Sequence, residues 1–306
     1  MSKILVIGDI MLDKYSYGLV KRLNPEWPNP LLNIYSEEYK LGGAANVAAN
    51  LSSLSGSVAL VWVIWDDEYG KKFESLCNEN NIHLTPIIVG VPTITKQRFM
   101  ETTYQQQLLR VDYEEKYSLS YKHNEQILSL ITEFSPEYII FSDYNKGMIN
   151  KDLVDGVKLY ADSNDAKIFV DTKPNNLKHF EGIYLIKPNI KEFRQMIGNE
   201  NLQNTDDAIK DQGMKFVDQY KLNLVITRWN KGAVLITKDG QFHSLPTKAK
   251  QVFDVTGAWD TFLAAIVFAL SKWYDLKSAV ELGNKASWIV VGKLGTATVA
   301  PEELWF

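Results

Sequence analysis

Residues 261–270 (TFLAAIVFAL) carry no charge and, apart from Thr261, no polar side chain. A helix that is apolar all round has no face to turn toward water, so this one is expected to be buried. The stretch leading into it, VFDVTGAWD (252–260), ends a strand and turns tightly. Asp254, Thr256 and Gly257 supply the turn chemistry, and Asp260 stands where the helix begins. The first amides of a helix lack intrahelical partners, and the helix dipole adds positive potential at the same spot. A phosphate, or the charge that develops during phosphoryl transfer, would be stabilised there. A carboxylate beside it would accept a proton from an attacking hydroxyl. Asp260 also suits a plainer part, a helix-start acid that complements the dipole.

The rest of the chain supplies layers to bury such a helix. Lys3 to Gly8 (KILVIG) reads as a buried strand, followed by Asp9 and Asp13 at the C-terminal end, where open α/β sheets bind ligands. Residues 14–40 are aromatic, proline-bearing and partly alternating, as exposed strands of a small flap are, and 82–89 and 93–112 alternate like strands. Leu41 to Leu54 (LGGAANVAANLSSL) is a Gly-Gly turn entering a helix of small residues, with Asn46 on its first turn. Val58 to Ile64 is a strand and 66–80 a charged amphipathic helix. After Asp112 strands and helices alternate: helix 119–134, strand 138–143, helix 150–163, strand 167–172, strand 183–189, a helix from Lys191, helix 205–220, strand 222–228, a hairpin over 232–246 and a helix pair over 276–292. That order implies a mostly parallel sheet covered on both faces: one α/β domain over 1–306 with a small β flap inserted in it.

Several functions are disfavoured. Net charge is −4 and no basic run stands out, so no nucleic-acid surface is expected. The single Cys77 allows neither a disulfide framework nor a cysteine metal cluster, and the four His show no metal spacing. The N-terminus lacks a signal-peptide pattern, and no apolar run reaches the length of a membrane span, which reads as a cytoplasmic protein with no membrane partner. There is no GxxxxGK[ST] loop, and no GxGxxG follows the first strand.

Asp9, Asp143, Asp171, Asn189, Arg228 and Asp260 all fall at expected strand C-termini or just beyond, and such a set at one sheet edge outlines a cleft. Asn189 and Glu192 (NIKE) lie three apart at a helix start. They suit water-mediated Mg²⁺ binding, and equally an N-x-x-E capping box. Lys96, Arg98 and Arg110 suit an anionic substrate, and equally a solvated strand face.

With these residues in place, the chain resembles the PfkB/ribokinase family of sugar kinases, and within it the D-glycero-β-D-manno-heptose 7-phosphate kinases. The matching segments are GDIMLD (8–13), NPEWPNP (24–30), LGGAANVAANL (41–51), PTITKQR (92–98), QQLLRVDYEE (106–115), SDYNKG (142–147), VDTKPN (170–175), KPNIKEF (187–193), DVTGAWDT (254–261) and VVGKLGTATV (290–299). SDYNKG, PTITK and VVGKLGT favour the heptose branch. The resemblance implies a ribokinase-like α/β fold with a small β-sheet lid (14–40 and 90–112), and an ATP-dependent phosphotransferase acting on an alcohol group. Asp260 would be the base and Gly257, Ala258 and Trp259 the anion hole. Asn189, Thr227, Arg228, Gly232 and Asn284 would bind ATP. Asp9, Asp13, Gly42, Gly43 and Asn46 would bind the sugar, with Lys96 and Arg110 toward its 7-phosphate. Glu192 would serve Mg²⁺ through water and Asp254 a monovalent cation, K⁺. A homodimer formed through the lid is implied as well. The family's longer bifunctional members add a nucleotidyltransferase domain, for which 1–306 leaves no room.

One departure stands out. The family's anion hole reads G-A-G-D, where this chain has Gly257, Ala258, Trp259, Asp260. Glycine there lets the backbone approach a phosphoryl group, and an indole brings bulk. Trp65 and Trp229 also replace family glycines, and Trp62, Trp273 and Trp288 stand where small residues are expected. The chain holds eight Trp and eighteen Gly in 306 residues, the latter slightly under the usual ~7%. Because GGA and UGA differ by one base, glycine codons read as Trp would give this pattern. Real divergence toward a non-catalytic protein would give it too.

Overall fold

The computed structural model describes residues 2–55, 58–64, 66–88, 90–247, 257–293 and 297–304. The first strand, β1 (Ile4–Gly8), is buried along its whole length and lies in the middle of the main sheet. Strands flanked on both sides by parallel neighbours and covered on both faces read as continuous apolar runs, and β1 (ILVIG) is one.

The chain then leaves this sheet to build a second, smaller one. Two long strands, β2 (Ile10–Leu23) and β3 (Pro30–Gly43), pair antiparallel. The chain returns through α1 (Ala44–Ser55), β4 (Val58–Ile64), α2 (Glu68–Glu79) and β5 (Ile82–Ile88). It leaves again as β6 (Thr95–Glu101), parallel to β2, and β7 (Gln106–Tyr113), antiparallel to β6. This four-stranded sheet, ordered β3-β2-β6-β7, is the expected flap, and it starts at Ile10, directly after the first strand. It leaves Leu23, Trp27, Ile34, Tyr35, Tyr104 and Leu109 exposed.

Regular alternation follows: α3 (Tyr121–Phe134), β8 (Tyr138–Ser142), α4 (Lys151–Asn164), β9 (Lys167–Asp171), β10 (Leu185–Ile186), α5 (Ile190–Met196), α6 (Asp206–Tyr220), β11 (Asn223–Thr227), β12 (Ala233–Ile236), β13 (Phe242–Leu245), α7 (Ala258–Ser271), α8 (Leu276–Val290) and α9 (Pro301–Leu304). The main sheet runs β13-β12-β11-β10-β9-β8-β1-β4-β5, parallel except for the antiparallel β12 and β13 at one edge. Side chains alternate along β1, so Ile4 and Val6 join the core under α1 and α7, while Leu5 and Ile7 join the core under α3, α4 and α6. The architecture is the ribokinase-like one expected. As the charge-free sequence demanded, every residue of α7 from Thr261 to Leu270 is buried, between α1 and α8.

Two expectations need correction. The strand foreseen at 183–189 shrinks to Leu185–Ile186. Pro188 cannot donate to a ladder, and Lys187 turns its ammonium to Asp171 at 2.7 Å. The helix pair foreseen over 276–292 is a single helix, α8.

The tryptophans divide by backbone. Trp229 and Trp273 adopt φ of 55° and 66°, a region that costs a residue with a Cβ about 1–2 kcal/mol. Trp273 closes α7. Its amide bonds the carbonyl of Leu270, and the amide of Tyr274 bonds that of Ala269. That is the Schellman pattern, whose left-handed position is most often glycine. Trp62, by contrast, sits buried in β4, its ring 4.4 Å from that of Phe73, and Trp288 lies in α8. Trp65 lies outside the described residues.

Candidate active site

Helix α7 starts at Ala258 because Gly257 before it takes φ 77°, a left-handed conformation that turns the chain into the helix without side-chain capping. The first i→i−4 bond is Thr261 N–H to the Gly257 carbonyl, 3.0 Å. The amides of Ala258, Trp259 and Asp260 precede it and are therefore free of the helix ladder.

The Asp260 carboxylate is buried and held at both oxygens. Asn46 Nδ2, from the first turn of α1, donates to Oδ2 at 2.8 Å, and the Tyr144 hydroxyl donates to Oδ1 at 2.9 Å. Burial pushes its carboxyl up to about 6, and Asp171 adds to the rise. The Asn46 and Tyr144 donors, with Lys187, work against it. An anionic carboxylate offers about four lone-pair sites, so each oxygen keeps capacity for an acceptor hydroxyl.

Tyr144 reaches this position from the loop after β8. Asp9 gathers that loop: its Oδ2 accepts from the amides of Tyr144 (2.9 Å) and Lys146 (3.0 Å), and its Oδ1 from the amide of Met148 (3.1 Å) and the hydroxyl of Tyr117 (3.1 Å). Four donors fill the carboxylate. Asp9 thus serves the site through the loop it organises. Asp143 is taken up similarly, by Asn145, Thr172 and Asn176.

Next to Asp260 lies a small cavity of about 100 Å³, lined by Asp143, Tyr144, Asp171, Lys173, Lys187, Asn189, Glu192 and Trp259. Asn189 and Glu192 do form the capping box of α5. The Glu192 amide donates to Asn189 Oδ1 at 2.9 Å, and the Asn189 amide donates to Glu192 Oε2 at 3.0 Å. Glu192 Oε1 also meets Lys173 Nζ at 2.5 Å. Burial raises Asp171, with Lys187 pulling it back and Glu192 pushing it further. Among the described residues no group of three acidic, His or Cys side chains is set to cage a metal. This donor set would suit Mg²⁺ carried mainly by phosphate oxygens, and Glu192 is the carboxylate that would serve its water shell. Asp254 and Thr256 lie outside the described residues, as do residues 294–296 of the VVGKLGT segment.

Two further cavities lie nearby, the first of them also lined by Trp259. One, of about 290 Å³, is lined by Trp229, Gly232, Ala258, Trp259, Asn284 and Trp288 among others. A second, of about 630 Å³, continues past Asn284, Lys285 and Trp288 toward Glu281. Asn284 Nδ2 donates to the carbonyls of Leu245 (3.3 Å) and Pro246 (3.2 Å). Gly232 closes the turn 229–231, its carbonyl accepting from Arg228 N at 2.7 Å. Arg228 pairs with Asp206 at 2.5 Å. Its Nε and the Thr227 Oγ1 are buried with no hydrogen-bond partner among the described residues. Trp259 lines both the 100 Å³ and the 290 Å³ cavities, and Trp229 packs edge-on against it with centroids 5.9 Å apart.

The flap brings further charged residues. Asp13 Oδ1 accepts from Arg98 at 2.5 Å. Its Oδ2 lies so near Gly42 that a Cβ there would sit 2.6 Å from it, so glycine is required for the approach. Gly43 ends β3 beside them. Lys96 faces Asp112 at 4.0 Å, and Arg110 forks onto the same Asp112 at 2.9 and 3.0 Å. Burial lowers the Lys96 ammonium.

The structure thus gathers Asp260, Gly257, Ala258, Trp259, Asn46, Asn189 and Glu192 around one spot, with Gly232 and Asn284 lining the neighbouring cavity that Trp259 also lines, and Thr227 bridged to Asn189 with Arg228 next to it in the chain. Tyr144, Lys173 and Lys187 escaped the sequence reading. Their signal was present: each lies within two residues of an expected strand end already marked by Asp143, Asp171 or Asn189.

A family model described as pfkB family carbohydrate kinase matches residues 1–303. Bifunctional protein HldE of Actinobacillus pleuropneumoniae is 37% identical over 310 residues, and that of Haemophilus influenzae 36% over 307. Both matches take in 99% of this chain, which spans 63% of the length of either relative. Among solved structures, phosphofructokinase-2 from Escherichia coli in complex with potassium superposes with a TM-score of 0.83 at 17% identity, covering 99% of this chain and 96% of that one. Ribokinase from Thermotoga maritima gives 0.73 at 19%, covering 99% and 98%. At those identities the likeness is one of fold.

Proposed function

The chain belongs to the pfkB family of carbohydrate kinases, and from that premise we propose that it transfers the γ-phosphoryl group of ATP to O1 of D-glycero-D-manno-heptose 7-phosphate, giving the 1,7-bisphosphate. The observation that carries the chemistry is the buried Asp260, held at both oxygens, at the N-terminus of a buried helix beside two cavities that Trp259 lines. The heptose assignment rests on the SDYNKG, PTITK and VVGKLGT segments and on the HldE relatives.

In this reading the sugar lies between the flap and Asp260. Asp13, Gly42, Gly43 and Asn46 face its ring, and Lys96 and Arg110 its 7-phosphate. The O1 proton passes to Asp260 as O1 bonds to the γ-phosphorus and the bond to the β-phosphate oxygen breaks. The amides of Ala258, Trp259 and Asp260 hold the charge that spreads over the transferred group. Thr227 Oγ1 and Arg228 Nε gain phosphate partners, and Asn284 and Gly232 border the nucleoside. Mg²⁺ supplies charge neutralisation on the phosphates, with Glu192 toward its water shell. Asp254 would serve K⁺, the ion named for the phosphofructokinase-2 structure. The four-stranded sheet acts as the lid, and its exposed Leu23, Trp27, Ile34 and Tyr35 suit a second copy of the chain, giving a homodimer. The enzyme would work in the cytoplasm; among the described residues no helix is long and apolar enough to cross a membrane.

A substrate panel tests the assignment. ADP release is followed with Mg-ATP and the heptose 7-phosphate, fructose 6-phosphate, ribose or adenosine, with ³¹P NMR locating the new phosphate. The proposal expects turnover with the heptose at C1; turnover confined to another sugar would overturn it. One observation favours a second reading, a catalytically impaired sugar-phosphate binder: Trp259 stands between the two halves of the cleft. Heptose 7-phosphate binding, with ADP release no higher than for Asp260→Asn, would establish that reading.

A further inference from the structure

The Tyr144 phenol is partly buried, and its hydroxyl donates to Asp260 Oδ1 at 2.9 Å. Three anchors on other elements hold it there. Its amide is tied to Asp9 at the C-terminal end of β1, its ring lies under the Lys173 ammonium at 5.5 Å, and Lys173 is fixed by Glu192. The loop that carries it is shaped around Asp9, with Asn145 at φ 59° and Gly147 at φ 130°. Water or another polar group would satisfy a partly buried hydroxyl equally well, so nothing in packing alone requires its partner to be one oxygen of the proposed base.

Asn46 holds the other oxygen from the opposite side. With one donor per oxygen, the carboxylate has a single plane, and its remaining lone pairs point in fixed directions. We infer that Tyr144 is a positioning residue of this kinase: its hydroxyl, opposed by the Asn46 amide, fixes the plane of the Asp260 carboxylate and keeps it ready to take the acceptor proton. The inference rests on the kinase reading, with Asp260 as the base, but not on which sugar is phosphorylated.

The electrostatic surroundings set the direction of the test. Among the described residues, Asp260 faces Asp171 and Lys187 from the end of the sheet, Asn46 from α1 and Tyr144 from the loop, and Asp13 lies near Tyr144. Burial and Asp171 favour the protonated carboxyl, while Asn46, Tyr144 and Lys187 favour the anion. Loss of the Tyr144 donor removes support for the anion, so the carboxyl titrates higher and activity fails at a higher pH on the acid side.

The test compares Tyr144→Phe with the unaltered chain, Asp260→Asn and the double variant, using whichever sugar the panel identifies. Turnover by the unaltered chain above the Asp260→Asn blank establishes the kinase reading first, so the two ideas fail separately. For Tyr144→Phe, kcat should fall about tenfold or more while both KM values stay within about threefold. The acid limb of kcat/KM should move up by roughly one pH unit. In the Asp260→Asn background, removing the hydroxyl should change kcat little, because the two act as one unit. Should Tyr144→Phe fold poorly, 3-fluorotyrosine at 144 keeps the outline and makes a stronger donor, and the acid limb should then move down. An acid limb that stays put in both variants, or a kcat loss undiminished in the Asp260→Asn background, would overturn the inference.

Discussion

The two halves of the cleft differ in how complete they are. On the acceptor side, Asp260, Asn46, Tyr144, Asp9 and Asp143 form a buried network in which every carboxylate has its donors. On the side proposed for the nucleotide, Thr227 Oγ1 and Arg228 Nε are buried without partners among the described residues, and three indoles line the neighbouring cavity. A satisfied network holds its geometry before substrate arrives, whereas unpaired buried groups cost free energy until a ligand pairs them. Trp259 belongs to both halves. In the proposed reading, chemistry is thus set up on one side, and admission of the phosphates is limited on the other.

Four changes sharpen or break that contrast. Asp260→Asn removes the base of the completed half, and kcat should fall by about 10²–10⁴ with the fold intact, read by ADP release and thermal melting. Trp259→Gly acts on the incomplete half, and kcat/KM for ATP should rise about tenfold or more, since bulk is removed where a phosphoryl group must approach the backbone. A fall would show that the indole belongs in the working site. The acid limb of kcat/KM should fall near pH 6, because Asp260, pushed up to about 6 by burial, is lost as a base when protonated at lower pH. A limb near pH 4 would place the base elsewhere. The smallest effect is expected far from the chemistry. Trp273 is 89% exposed at φ 66°, so Trp273→Gly should stabilise the chain by about 1 kcal/mol, measured by denaturant midpoint. No gain would mean that the turn carries no strain.

The glycine-like backbones at 229 and 273 bear on how the gene is read. If glycine codons stand behind these residues, the gene carries UGA at 65, 229 and 259; UGG at those positions would leave divergence as the explanation.

Much of this was legible in the sequence because one physical cause dominated each signal. A charge-free run of ten residues admits only a buried helix, and α7 is one. Buried parallel strands need unbroken apolar runs, and β1, β8 and β11 have them. At 189–192 the N-x-x-E spacing fitted both a cap and a ligand, and the capping box is there while Glu192 also lines the cavity. What stayed hidden depends on long-range placement. Tyr144 lies 116 residues from Asp260, and its place beside an expected strand end does not say which side chain it meets. Lys187 reads as a surface charge until the sheet brings Asp171 alongside and buries the ammonium. The early end of β10 likewise follows from that pair and from Pro188, not from any loss of apolar character before them.

The contrast between the halves is tested most directly by calorimetric titration of the chain and of Trp259→Gly, once with Mg-ATP and once with the sugar phosphate. The account predicts sugar-phosphate affinities within about threefold of each other and ATP affinity at least about tenfold tighter for the glycine variant. Equal ATP affinities, or a change confined to the sugar phosphate, would contradict it.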